Sequence, residues 1–241
     1  MVVNPLENGW ECVYQRAHAW MSFQMLLEFE PGLRTPEWPA ILQAALTHDH
    51  GWMEWDEACL DGQAPDSFTV SGVDKALKIT SRGVELAAHQ SLDAAVFVAR
   101  HIEELYSRRA EGPLVDHLAQ IREQRLGWMR ELELSEEAVE RGYQRVLWAD
   151  SASLILCVAD QEFVSELSLK IDETVYQLAP TGEHWTLEPW PYITDELVVS
   201  VQSRILEQQK FASEQQLRSA LAATEPRSKK WILRPLETGV N

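Results

Sequence analysis

A mainly α fold with a small β annex, α+β overall, is what this sequence predicts, and three observations predict it. Six stretches between about residues 16 and 167 carry apolar residues at helical spacings. β-like stretches lie at both ends: an N-terminal hairpin, and TVYQLAP, HWTLEP and ELVVSVQSRIL after Leu167. No repeat, low-complexity tract or clear linker interrupts the chain. The expectation is a single domain over residues 1–241, with a helical core at about 16–167 and a β annex formed from about 1–15 and 168–241.

The elements follow in order. VVNP and WECVY flank Glu7-Asn8-Gly9, and Asn-Gly is a strong signal for a tight hairpin turn. A helix from about Arg16 to Glu30 carries Met21, Met25 and Phe29 on one stripe, with His18 on the same face, and stops at Pro31-Gly32. A second helix opens at Pro36 to Pro39, with a stripe of Ile41, Leu42, Ala45 and Leu46. It ends near Gly51, with His48 on the apolar face. A loop from Trp52 to Ser71 follows, then a helix at about Asp74–His89. Ser91 is a natural N-cap for a fourth helix at about Leu92–Arg109. There His101 shares a face with Ala94, Phe97, Val98 and Leu105. A fifth helix covers about Pro113–Leu132. Ser135 caps a long sixth helix to about Leu167, with Asp150 amid Tyr143, Val146, Leu147, Leu154 and Cys157. Pro189 and Pro191 mark a corner among the strands. A short helix at about Ser213–Ala222 precedes a last strand at Trp231–Leu233.

Composition narrows the function classes. The 241 residues carry a formal charge of −17, a field that repels phosphate backbones and argues against nucleic-acid partners. No apolar run reaches the length of a membrane helix, and MVVNPLENGWE shows no basic region or apolar stretch of a signal peptide. Three cysteines, Cys12, Cys59 and Cys157, form no ligand-like spacing and no even set. That points to a reducing, cytoplasmic setting. The ten tryptophans are expected to wall a core or a pocket.

His18, the adjacent pair His48-Asp49 and Asp150 all fall on apolar helix faces. A buried carboxylate is costly without a partner. One divalent metal satisfies two histidines and two aspartates together. Imidazole nitrogen mixed with carboxylate oxygen suits Mn, Fe, Zn, Co or Ni rather than calcium, which prefers oxygen alone. His89 and His101 are further candidate ligands. If both converge, the set is large enough for two ions bridged by Asp49. The alternatives are a satisfied core histidine at each site and, for Asp150, a buried ion pair with Arg145 or another arginine.

The order His, His-Asp and distant Asp on helices resembles the HD-domain superfamily of metal-dependent phosphohydrolases over about residues 16–165. The resemblance implies an HD-like helical core with His18, His48, Asp49 and Asp150 as metal ligands. In many members a lysine three residues after the Asp meets substrate phosphate. Here that position is Trp52, which puts phosphoesters in doubt, and Arg16, Arg82 and Arg100 are the candidate replacements. Arg100 adjoins His101 but points about 100° away around the helix. The stretches QRAHAW, HDHGWMEWD, VARHIEELY and WADSASLILC, with EPWPY in the annex, also resemble an uncharacterised bacterial family of unknown function, itself similar to the HD domain. That second resemblance spans the whole chain and brings no established activity.

Three functions fit these residues. The preferred one is a hydrolase acting on a small phosphoester, with Asp49 and His101 as proton-transfer candidates. The second is a non-catalytic metal- or ligand-binding module, or a helical scaffold. The third is a di-iron oxygenase of the HD type, which needs both His89 and His101. Trp52, Trp55 and Arg100 are the expected substrate-pocket residues, with Glu54 and Asp56 as acceptors behind the histidines. A small-molecule substrate is expected. The annex, which has no chemical motif, is expected to cap the site or to mediate a homodimer.

Overall fold

The computed structural model of the chain describes residues 1–53, 59–68, 72–108 and 110–236. β1 (Val2–Leu6) and β2 (Gly9–Val13) form the hairpin, with Leu6 opposite Gly9. Gly9 has a second role. A Cβ there would lie 1.7 Å from the carbonyl oxygen of Leu206, so only glycine lets the neighbouring strand approach.

The helices are α1 (Gln15–Leu27), α2 (Trp38–Thr47), α3 (Val73–Gln90), α4 (Leu92–Ser107), α5 (Pro113–Glu131) and α6 (Glu136–Cys157), followed by the short α7 (Gln161–Ser165) and α8 (Glu214–Ala223). Ser91 and Ser135 cap α4 and α6 by accepting the backbone N–H of Ala94 and Ala138. The long sixth helix expected from the sequence is broken. α6 stops at Cys157, and Asp160 starts α7 by accepting the N–H groups of Glu162 and Phe163. This break turns Phe163 back toward Phe68, with ring centroids 5.5 Å apart.

The expected mainly α fold with a small annex is overturned by the sheet. β5 (Leu169–Ile171), β6 (Thr174–Thr181), β7 (His184–Glu188), β8 (Leu197–Leu206) and β9 (Arg227–Pro235) join the hairpin in one seven-stranded sheet of order β1-β2-β8-β9-β7-β6-β5. Within it only β7 and β9 run parallel. The protein is therefore α+β, with one large sheet beside its helices. β3 (Leu60–Asp61) and β4 (Ala64–Pro65) form a separate small hairpin. β9 spans nine residues where three were expected, because its RSKK half carries charge. An antiparallel pair tolerates that on the face turned to water; here Lys229 also reaches Glu11, at 3.0 Å.

Sheet and helices share one buried cluster that includes Met25, Phe97, Val146, Val199 and Leu233. α1 packs on α2, α6 and β8. Its Gln24 side chain donates to the carbonyl of Ser200 and accepts that residue's N–H. Those two strand groups lie beyond the reach of β2, which pairs only with Ser203–Leu206, so Gln24 satisfies backbone that would otherwise be unpaired. Trp148 on α6 is fully buried and contacts Phe29 and Tyr176 ring to ring. This joins the helical layer to the sheet. No helix among the described residues is long and apolar enough to cross a membrane.

Candidate metal centre

Four elements converge on one buried point. His18 lies on α1, on a face shared with Gln15, Ser22 and Met25. His48 is the C-terminal residue flanking α2, and Asp49 opens the 3₁₀ turn His50–Trp52. His101 comes from α4 and Asp150 from α6. The turn after Asp49 lies against α3 so closely that a Cβ on Gly51 would sit 2.1 Å from the carbonyl oxygen of Ile79. That contact fixes where the His48-Asp49 pair ends up.

The ligand-type atoms face one another. His18 Nε2 is 2.7 Å from Asp49 Oδ2 and 3.6 Å from Asp150 Oδ1. His48 Nε2 is 3.4 Å from each of the same two oxygens. His101 Nε2 is 3.8 Å from Asp150 Oδ2. All five side chains are buried. They form two overlapping groups able to hold a metal ion, His18/His48/Asp49 and His48/His101/Asp150. The two 3.4 Å spacings from His48 Nε2 fit a common centre. Two atoms each about 2.1 Å from one ion, at tetrahedral or octahedral angles, are about 3.0–3.4 Å apart. The Nε2 atoms of His48 and His101 have no hydrogen-bond partner, although a buried polar atom is nearly always satisfied.

The opposite nitrogen of each ring is held. His48 Nδ1 is 2.9 Å from the carbonyl oxygen of Ala45, an acceptor only, so Nδ1 carries the hydrogen. His18 Nδ1 meets Ser153 Oγ at 2.7 Å, and that hydroxyl donates to the backbone carbonyl of Asp150. His101 Nδ1 lies 3.3 Å from the Tyr143 hydroxyl. Gln15 Nε2 donates to Asp49 Oδ2 at 3.2 Å. Metal-binding histidines are oriented by this kind of support.

Charge is distributed accordingly. Burial opposes protonation of His48, but Asp49 and Asp150 outweigh it and raise its pKa well above the ordinary value. Burial also opposes ionisation of Asp49 and Asp150, and the surrounding histidines overcome it, so both carboxyls are lowered. Burial, and then the charge on His48, push His101 down to about 4, which leaves it neutral.

Above the cluster lies a cavity of about 260 Å³. Its walls include Trp52, Ile79, Ile102, Leu147, Leu154 and Phe163, and its described polar lining includes Gln15, Tyr106, Ser151, Glu166 and the cluster itself. No lysine or arginine is among the described lining residues.

The structure brings together His18, His48, Asp49, His101 and Asp150, and places Trp52 in the cavity wall. It does not bring His89, which is exposed at the end of α3. Arg100 is turned from the cavity. It pairs with Glu140 and Glu104 and lies 4.5 Å from the centre of the Tyr143 ring. Arg82 is paired with Glu85 on the surface, and Arg16 lies over the Tyr14 ring. Trp55, Glu54 and Asp56 lie outside the described residues. Asp150 has no arginine partner among the described residues. Arg145 instead pairs with Asp172 and donates to the carbonyl of Leu33.

Sequence reasoning missed Gln15, Ser22, Tyr143, Ser151 and Ser153. A signal was present: Gln15, His18 and Ser22, like Asp150 and Ser153, recur at helical spacing and make a polar stripe on a buried face.

No curated protein and no solved structure matches the chain. Residues 1–208, which hold all five side chains of the cluster and the strands through β8, match the family described as Protein of unknown function (DUF3891), and the chain belongs to that family.

Proposed function

We propose that this protein is a metal-dependent hydrolase of a small molecule, with an HD-like ligand set built from His18, His48, Asp49 and Asp150 and extended by His101. The carrying observation is His48 Nε2: buried, unpartnered and 3.4 Å from two carboxylates of different elements. Mn, Fe, Zn, Co and Ni suit this donor set. Both groups share His48, whose Nε2 faces the two carboxylates while Nδ1 is held by Ala45; an imidazole nitrogen has one lone pair to give, so the reading is of one ion. Such an ion supplies Lewis acidity, acidifying a water and polarising a substrate oxygen.

The chain's own residues do the rest. His18 and His48 are oriented from behind by Ser153 and the Ala45 carbonyl. Asp49, steadied by Gln15, offers the carboxylate that would accept a proton at the cavity floor. Trp52 and the apolar walls exclude bulk water, which strengthens every charge interaction inside. The exposed position of His89 withdraws support from a di-iron oxygenase. Asp150 facing histidines rather than an arginine withdraws it from a purely structural role.

The test is metal content by mass spectrometry on protein purified without a metal-binding tag, beside Asp150→Ala. It is followed by hydrolysis assays on chromogenic carboxylic esters and phosphoesters after reconstitution with each metal. About one transition metal per chain, lost in Asp150→Ala, together with metal-dependent turnover, is the expected result. No metal uptake in any condition would overturn the reading.

A further inference from the structure

The chamber over the cluster points to a substrate class, and we infer that the site takes an uncharged, largely apolar small molecule rather than a phosphoester. This rests on the metal reading above for its chemistry, but its grounds are the walls. Ile79 and Ile102 face the cavity from α3 and α4, Leu147 and Leu154 from α6, and Phe163 from α7. The break between α6 and α7 is what brings Phe163 into the wall. A binding site lined this way gains affinity from apolar burial and uses a few polar groups to orient the ligand. Ser151, buried and beside Asp150, and Gln15 are those groups here. At about 260 Å³ the chamber is near the small end of ligand pockets.

Charge argues the same way. Two carboxylates, Asp49 and Asp150, balance one divalent ion. A phosphate dianion entering the chamber would leave that excess charge in an apolar enclosure, where its desolvation is costly. Among the described lining residues the one further charge is Glu166, an exposed carboxylate of the same sign. Nearby cations are committed elsewhere: Lys75 lies 5.4 Å from the Trp52 ring centre but is paired with Asp66 at 2.7 Å, and Arg100 is held by Glu140 and Glu104. The −17 net charge of the chain adds a field that disfavours anions.

The test reads binding, with and without metal, using the neutral fluorophore N-phenyl-1-naphthylamine and inorganic phosphate as opposed probes. Ile102→Trp fills the chamber. Leu105→Trp narrows it from a position that lines the cavity and is 42% exposed, so folding is spared if the buried variant fails. The expected result is saturable fluorophore binding at one site, weakened at least tenfold by either variant, with millimolar phosphate neither displacing the fluorophore nor raising the melting temperature. Phosphate displacement, or fluorophore affinity unchanged in both folded variants, would overturn the inference. Metal content is measured on the same samples. Fluorophore binding without any metal would remove the hydrolase reading and leave the apolar chamber. Metal retention without fluorophore binding would do the reverse.

Discussion

His18 Nδ1 lies 2.7 Å from Ser153 Oγ, so an imidazole from α1 is oriented by a hydroxyl on α6, one turn beyond Asp150. The same hydroxyl donates to the carbonyl of Asp150 and so ties two candidate ligands together. Ser153→Ala removes that link and leaves the His18 ring held, among the described residues, only by its 2.7 Å contact with Asp49. Loss of such support typically lowers metal affinity about 10–100-fold. The folding cost is smaller, about 1–3 kcal/mol for the unsatisfied buried nitrogen. Competition with a chelating dye measures the first and urea unfolding the second. Unchanged metal affinity in a folded variant would show that His18 is not a ligand.

Gly51 sets the position of the His48-Asp49 pair through backbone contact with α3. A methyl group there meets the Ile79 carbonyl at 2.1 Å, and the turn must move away. Gly51→Ala is expected to destabilise the fold by about 1–3 kcal/mol, the usual cost of overpacking, and to reduce metal uptake. Thermal unfolding and metal content check the two effects. Native stability in this variant would mean that the turn adjusts without strain.

Much of the helical layer was legible because burial imposes a period on the sequence. His18, His101 and Asp150 could be placed because each shares a face with residues that proved buried, such as Met21, Phe97 and Val146. His89 was not separable in this way. The buried face of α3 runs through Ile79, Val84 and Ala87, and two residues beyond Ala87 is about 200° around the helix, which points His89 to solvent. The sheet was under-read for a different reason. β9 alternates over a charged half, RSKK, whose lysines look like a loop until β7 and β8 flank it. The break at Asp160 was hidden because a cap replaces only one turn of helix, and the apolar period resumes at Phe163.

The thiols give a prediction independent of any metal. Burial pushes Cys12 and Cys157 up to about 12, while Cys59 is half-buried and less affected. Ellman's reagent at pH 8 is expected to modify Cys59 alone in the folded protein, and all three thiols after unfolding. The sign for stability follows. A thiol raised in the folded state stabilises fully below its unfolded value of about 8.5. That contribution is lost progressively as pH rises from there toward the folded value. The melting temperature should therefore fall between pH 8.5 and 11, and fall less in Cys12→Ala or Cys157→Ala relative to each variant's own value at pH 8. Rapid reaction of all three thiols at pH 8 would contradict the buried placement.

Metal removal should cost stability, because the cluster packs two carboxyls, both lowered toward the ionised form, away from water beside three histidines. A metal that binds only the folded state stabilises by about 4 kcal/mol at a free concentration 1,000 times its dissociation constant. For a chain of this size that is roughly 8–16 °C in melting temperature. Chelation is expected to lower the melting temperature by an amount in that range and readdition to restore it. Asp150→Asn separates binding from folding. It keeps the shape and removes one charge, so its apo form should melt near the wild-type apo form while the metal-dependent rise shrinks sharply. A full metal-induced rise in Asp150→Asn would place the ion away from this cluster. A chelator-insensitive melt of wild-type protein that contains metal would show that the ion does not discriminate folded from unfolded chain, against a site assembled from α1, α2, α4 and α6.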